Sequence, residues 1–218
     1  TGDVLVTSRS LTEYRAMFAL SDDDLLGRIL DCCAGAASLT AEVSSSGGQI
    51  VAVDPVFALG LPRVEAAVRE SLAGGQQLVD DNEEQFVWTW YGARDRRDRL
   101  RDRAAELFLA HSRRTPGRYI GAELPRLPFS DKSFDLAVCS HLLFTWARRF
   151  DQDWHTEALV ELARVATEVW VFPLVRAGDG SATPFLDDLV HHLHRQGFAV
   201  EVRSVEYEFQ RGGNQMLV

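Results

Sequence analysis

Two short apolar runs, each carrying an aspartate at or near its end, constrain this chain more than any other feature. Arg28-Ile29-Leu30-Asp31-Cys32-Cys33 reads as a buried strand, and Ala34 to Ser38 is a small-residue turn into a helix through Val43. Ser44-Ser45-Ser46-Gly47-Gly48 then introduces a second strand, Gln49-Ile50-Val51-Ala52-Val53-Asp54. Strand, turn, helix, turn and strand within about 30 residues is a βαβ unit, and its two strands must run parallel. Later candidates continue the alternation. Strands are expected at Tyr119 to Glu123, Phe134 to Cys139 and Glu168 to Val175, and a helix at Leu186 to Arg195 stopped by Gly197. Ala199 to Val205 and Gln215 to Val218 read as a closing pair of strands. This pattern predicts a Rossmann-like α/β fold: a seven-stranded, mostly parallel sheet with helices on both faces.

The amino-terminal part carries two helix starts. Ser10-Leu11-Thr12-Glu13 has capping-box spacing, with Tyr14, Met17 and Phe18 following at helical intervals, and Ser21-Asp22-Asp23-Asp24 reads as a second start. One segment breaks the rhythm. Sixty-nine positions separate Asp54 from Glu123, whereas a crossover helix with its loops needs about 10 to 20. The excess predicts a helical insertion after the second strand, at about 76–115 of a single domain spanning 1–218. Glu84 to Tyr91 and Arg94 to His111 are its helix candidates. Within it, the arginines from Arg94 to Arg103 alternate with Asp95, Asp98 and Asp102, as on a solvated helix face. Trp88, Trp90 and Tyr91 read first as packing residues; if the insertion folds over the strand ends, they line an acceptor pocket there.

Composition narrows the class of function. The 218 residues carry a formal charge of -9, which argues against a nucleic-acid or anionic-membrane partner. No stretch approaches the roughly 18 apolar residues of a membrane span, and the opening residues do not read as a signal peptide. Cys32, Cys33 and Cys139 fit no CxxC or zinc spacing and read as reduced, buried thiols of a cytoplasmic protein. His191, His192 and His194 lie far from any strand end, and no metal site is expected.

In an open parallel sheet, ligands bind beyond the carboxyl ends of the strands. Asp31 to Ala37, Asp54-Pro55 and Glu123-Leu124 all fall there. Asp54 follows Gly35 by the spacing at which an acidic residue accepts from ribose hydroxyls, and its two oxygens suit a diol. The bound nucleotide is NAD or S-adenosylmethionine. A pyrophosphate site wants GxGxxG, but Cys33 and Ala37 stand at the outer small positions around Gly35 and would crowd phosphates. S-adenosylmethionine has no phosphate to crowd.

The stretch Glu123-Leu124-Pro125-Arg126-Leu127-Pro128-Phe129-Ser130-Asp131-Lys132-Ser133-Phe134-Asp135 resembles the class I S-adenosylmethionine-dependent methyltransferases. In that family an acidic residue precedes Leu-Pro-Phe, a polar turn follows, and Phe-Asp opens the fourth strand. Ile29 to Gly35 matches the first motif with two family glycines replaced. Residues 28–56 and 119–146 carry the resemblance. Cys139-Ser140-His141-Leu142-Leu143-Phe144 and the tail Glu206 to Leu217 are similar to bacterial members with no assigned substrate.

The resemblance implies that Asp54 accepts from the ribose, that Pro55 and Val56 flank the adenine, and that Glu123 and the Leu124 N–H meet the adenine edge. It further implies that Asp31, Cys33, Gly35 and the backbone at Cys139 and Ser140 hold the methionine portion, with Arg9 and Tyr14 closing over its carboxylate. His141, just past the fourth strand, is the expected general base. The expected activity is methyl transfer to a small-molecule acceptor. The alternatives are a non-catalytic S-adenosylmethionine-binding protein and a nicotinamide-dependent oxidoreductase.

Overall fold

The computed structural model describes residues 6–218, and its core is one seven-stranded sheet. The strands are β1 (Arg28–Cys32), β2 (Gln49–Val53), β3 (Tyr119–Ile120), β4 (Phe134–Ser140), β5 (Ala166–Phe172), β6 (Val202–Ser204) and β7 (Gln215–Leu217). They lie in the order β3-β2-β1-β4-β5-β7-β6. The first five pair in parallel, and β7 is antiparallel to both β5 and β6. The helices are α1 (Leu11–Phe18), α2 (Leu39–Ser45), α3 (Leu61–Asp81), α4 (Arg94–Arg114), α5 (Gln152–Val165) and α6 (Leu186–Arg195).

The period-2 pattern of the strands explains how both faces are covered. Leu30 and Cys32 of β1, with Ala137 and Cys139 of β4, pack against Leu159 and Leu162 of α5 and Leu189 and Leu193 of α6. Ile29, Leu136 and Val138 point the other way, toward Met17 and Phe18 of α1 and Leu39 and Val43 of α2. The β1 strand is buried on both faces, so it reads as a nearly continuous apolar run.

Local chemistry accounts for the helix ends. Ser10 and Glu13 form the expected capping box on α1: the Ser10 side chain accepts from Glu13 N–H, and Glu13 Oε2 accepts from Ser10 N–H at 2.8 Å. Asp151 caps α5 by accepting from Trp154 N–H at 2.9 Å. Ser21-Asp22-Asp23-Asp24 does not open an α-helix. It folds a single 3-10 turn, Asp23–Leu25, that hands the chain to β1.

Between β2 and β3 the chain makes two 21-residue helices, α3 and α4. The first already begins at Leu61. Glu84 to Tyr91 is not helical: after a 3-10 turn at Glu83–Gln85 it runs irregularly, with Phe86 bridged to Gln210 and Val87 N–H donating to Phe209 O at 2.7 Å. It belongs with the carboxyl-terminal tail because its aromatic rings stack there. Phe86 lies 4.6 Å from Phe209, and Trp90 lies 4.9 Å from Tyr207, centroid to centroid.

The α4 helix carries the mixed-charge run, yet Arg97 and Arg101 are buried along with Ala104, Ala105 and Phe108. Arg101 Nε donates to Glu13 Oε1 at 2.8 Å, a carboxylate with no solvent exposure. Tyr91 OH donates to the same oxygen and lies 2.8 Å from Tyr207 OH. One buried ion pair therefore ties α1, α4, the Tyr91 loop and the tail together. Arg101, a Tyr91 hydrogen bond and the Ser10 N–H hold the Glu13 carboxyl below its ordinary range against the opposing effect of burial.

Removing one partner of such a pair leaves an uncompensated buried charge, which costs about 3–5 kcal/mol. Urea denaturation should show a loss of that size for Arg101→Met and for Glu13→Gln. The double variant should recover much of it. Additive losses would mean that the two groups do not depend on each other.

Candidate functional site

The parallel register brings the functional loops to one edge. Cys32 pairs with Val53 on one side and Cys139 on the other, so β1, β2 and β4 end level. The next residues, Cys33, Asp54 and Ser140, emerge side by side at the point where strand order reverses between β1 and β4. A cavity of about 690 Å³ opens there. Its walls include Cys33, Gly35, Asp54, Glu123, Ser140 and His141. Pro55, Val56 and Leu124 also face it.

The Asp54 carboxylate organises this edge. Its Oδ2 accepts from Gly35 N–H at 2.9 Å and its Oδ1 from Val56 N–H at 3.0 Å, joining the loop after β1 to the turn after β2. Each oxygen keeps a second acceptor direction. Burial outweighs these hydrogen bonds and pushes the carboxyl up to about 6.

The loop after β1 is shaped against the segment before α1. Ala36 N–H donates to Thr7 O at 3.1 Å and Ser38 N–H to Arg9 O at 2.9 Å. Gly35 has φ +56, and a Cβ on it would lie 2.9 Å from Thr7 O. Cys33, one of the non-glycine residues of the first motif, also adopts a left-handed φ of 59. The backbone thus keeps the glycine-like path although a side chain is present.

The other residues singled out in the sequence divide into two groups. Asp31 and Tyr14 are fully buried behind the loop and do not reach the cavity. Tyr14 OH donates to Asp31 Oδ1 at 2.9 Å, while Asp31 Oδ2 is buried without a hydrogen-bond partner among the described residues. Burial pushes the Asp31 carboxyl up to about 8, against the opposing effect of the Tyr14 hydrogen bond. The Cys139 side chain likewise lies in the core, which leaves only its backbone at the edge. Arg9 faces a second cavity instead.

The 123–135 stretch is held from below by α5. Leu127 N–H donates to Glu161 Oε1 at 2.6 Å, and Arg164 Nη1 donates to Phe129 O at 2.8 Å. Asp135, at its end, pairs with Arg28 at 2.7 Å and so fixes the start of β4 to the start of β1. These residues position Glu123 and Leu124.

The second cavity, about 240 Å³, shares Thr7 and His141 with the first. His141 also has a left-handed φ, 56, and its N–H donates to Phe172 O at 2.7 Å. Its Nδ1 lies 2.8 Å from Ser140 Oγ. Burial, reinforced by the charges of Arg9 and Arg101, holds the ring well below the usual imidazole range, so it is neutral. Apolar walls come from Val79, Phe86, Trp146 and Phe209, and Arg9, Arg97 and Arg101 supply cations.

Trp88, Trp90 and Tyr91 line neither cavity; they pack under the insertion against Tyr207 and Phe209. Arg97 and Arg101, read from the sequence as solvated, line the second cavity. The available signal was their i,i+4 spacing on the same stripe as Ala104, Ala105 and Phe108.

The family model described as "Methyltransferase domain" matches residues 97–169, from α4 into β5. An uncharacterized protein of Methanocaldococcus jannaschii is 26% identical over 217 residues, covering 99% of this chain and 96% of its own length. Among solved structures, WbdD in complex with a kinase inhibitor superposes with a TM-score of 0.51 at 12% identity. That match covers 95% of this chain, which spans only 40% of the WbdD chain. A protein of Methanosarcina mazei titled as a SAM-dependent methyltransferase gives a TM-score of 0.44 at 16% identity, covering 95% of this chain and 93% of that one.

The two left-handed positions of the loop respond differently to substitution. Gly35→Ala should cost about 1–3 kcal/mol, the scale of imposed backbone strain. Cys33→Gly should change stability by less than about 1 kcal/mol, because relief of strain offsets the added freedom of the unfolded chain. Equilibrium unfolding of both variants checks this, and the reverse order would contradict the loop geometry.

Proposed function

We propose that this chain is a class I S-adenosylmethionine-dependent methyltransferase that binds S-adenosylmethionine and transfers its methyl group to a small-molecule acceptor. One observation carries the choice of acceptor: the large cavity at the strand ends adjoins a smaller one, and His141 stands between them. The smaller cavity is lined by α3, α4, the tail and the loops after β4 and β5, and its size suits a small molecule.

The residues present fit the cofactor. Asp54 keeps acceptor directions for the ribose hydroxyls, and Pro55 and Val56 supply an apolar wall for the adenine. Glu123 offers a carboxylate acceptor to the adenine amino group, beside the Leu124 backbone. Gly35, Cys33 and the backbone at Cys139 and Ser140 surround the methionine portion. Asp31 and Tyr14 support that loop from behind, and Arg9 takes the methionine carboxylate from the side of the smaller cavity.

The bound sulfonium supplies an activated methyl group and leaves as a neutral thioether, so the protein's task is alignment and exclusion of water. Where the acceptor's nucleophilic atom carries a proton, the neutral His141 ring accepts a hydrogen bond from it, orients it, and takes the proton as the new bond forms. We further propose that residues 1–218 act as one domain, with the helical insertion (about 76–115) as the acceptor-side wall. Because that wall carries Arg101, excising it would strand Glu13, and the insertion is integral to the fold. Among the described residues no helix is long and apolar enough to cross a membrane. The three free cysteines suit the reducing cytoplasm.

Asp54→Ala should weaken S-adenosylhomocysteine binding by about 1.5–3 kcal/mol, the range for hydrogen bonds to a charged group. Calorimetry on the folded variant checks it; unchanged affinity would leave Asp54 a purely structural cap. The same carboxyl gives the binding a pH dependence. At pH 7 it is mostly ionised, and below its value of about 6 it takes up a proton and becomes a weaker acceptor. Affinity should therefore fall as pH drops from 7 to 5, and Asp54→Asn should flatten that profile. A wild-type profile that stays flat would contradict the ribose role.

A further inference from the structure

The smaller cavity has an unusual charge balance for a protein whose formal charge is -9. Among the described residues, three arginines line it and no aspartate or glutamate does. Two carboxylates outside the lining neutralise the cluster in part: Glu13 takes Arg101 Nε at 2.8 Å, and Asp98 takes Arg97 Nη1 at 2.7 Å. Arg9 Nη1 donates to Thr7 Oγ1. What is left is one cation in excess and two orphaned donors. Arg9 and Arg97 are 8% and 7% exposed, and the Nε of each is buried with no hydrogen-bond partner among the described residues.

A guanidinium has only donors, so only an acceptor can satisfy it, and buried donors without partners are costly. The cluster is also under internal repulsion. Burial and the charge of Arg101 lower Arg9 to about 10 and lower Arg97 as well, yet both remain protonated at neutral pH. An anion relieves both penalties at once.

The rest of the cavity defines what carries the anion. Phe86, Phe209, Val79 and Trp146 make apolar walls, and Arg97 lies over the Phe209 ring at 5.3 Å. A cavity of about 150 Å³ holds benzene, so about 240 Å³ accommodates a substituted ring. His141 and Thr7, the residues shared with the large cavity, mark where the methyl group arrives.

Resting on the methyltransferase reading above, we propose that the acceptor is a small organic anion with an apolar or aromatic body. Its carboxylate or phosphate is held by Arg97 in the Arg9–Arg97–Arg101 cluster, and its nucleophilic atom is presented at His141. Arg9 lies against the loop after β1, through the Ser38 N–H to Arg9 O bond, and serves the cofactor's carboxylate, which arrives with its own ammonium and so leaves the cluster's net positive charge in place. Arg97, on α4, serves the acceptor's anion.

The test is calorimetric titration of the protein saturated with S-adenosylhomocysteine, using four probes of matched shape: 4-hydroxybenzoate, 4-hydroxyphenyl phosphate, 4-hydroxybenzamide and 4-hydroxybenzylamine. At least one anion should bind at least tenfold more tightly than the neutral amide, a difference of about 1.4 kcal/mol, and the amine should not bind. The stronger of the two anions identifies the acid group preferred. Arg97→Gln should erase the preference and Arg97→Lys retain part of it, both with S-adenosylhomocysteine affinity within about twofold of wild type. Equal or tighter binding of the amide or amine, or no anion binding at millimolar concentration, overturns the proposal. Absence of S-adenosylhomocysteine binding at the outset would instead overturn the cofactor reading.

Discussion

The buried Glu13–Arg101 pair is the contact on which the remaining architecture turns. A carboxylate with no solvent exposure is tolerable only when its charge is matched and its oxygens are occupied. Here Arg101 matches the charge, and Tyr91 and the Ser10 N–H occupy the oxygens. Satisfying Glu13 thus requires α1, α4 and the Tyr91 loop to meet at one point, and Tyr207 brings the tail to it. That meeting point closes the smaller cavity, and it turns Arg97, one helical turn before Arg101, toward the same space.

At the sheet edge a different constraint operates. Because β1, β2 and β4 end in register, the loops that follow them are crowded together, and hydrogen bonds must settle their paths. Asp54 does so by accepting from both Gly35 and Val56. Left-handed backbone at Cys33 and His141 is the cost of directing those two side chains into the cavities. Such strained positions persist where surrounding contacts over-determine them, and they gather at functional sites. The replaced glycine of the first motif therefore alters the side chain at that point while leaving the course of the loop intact.

Much of this was legible in the residues. The two aspartate-bearing apolar runs predict β1, β2 and the helix between them, and the 69-position gap predicts the helical excursion. The capping box predicts the start of α1. These signals are local: period-2 burial, cap chemistry and small-residue turns act over a few positions, so they survive without knowledge of the partners. The Ser21 to Asp24 cluster misleads for the same reason, since cap-like residues also serve a single 3-10 turn.

What the sequence alone determined is the order of the strands and the set of residues at their ends. The tertiary structure decided which charged and aromatic side chains face inward. Arg97 and Arg101 look like their neighbours in an alternating run; Arg101 is buried because Glu13, 88 positions before it, needs a counter-charge, and Arg97, one turn earlier, lies over the Phe209 ring. Tyr91 faces inward because Tyr207, 116 positions later, meets its hydroxyl in a dry interior. Trp88 and Trp90 stack on that same tail and so stay out of the cavity. Local periodicity cannot encode these outcomes, because the energy that fixes them is the desolvation of groups brought together only by the complete fold.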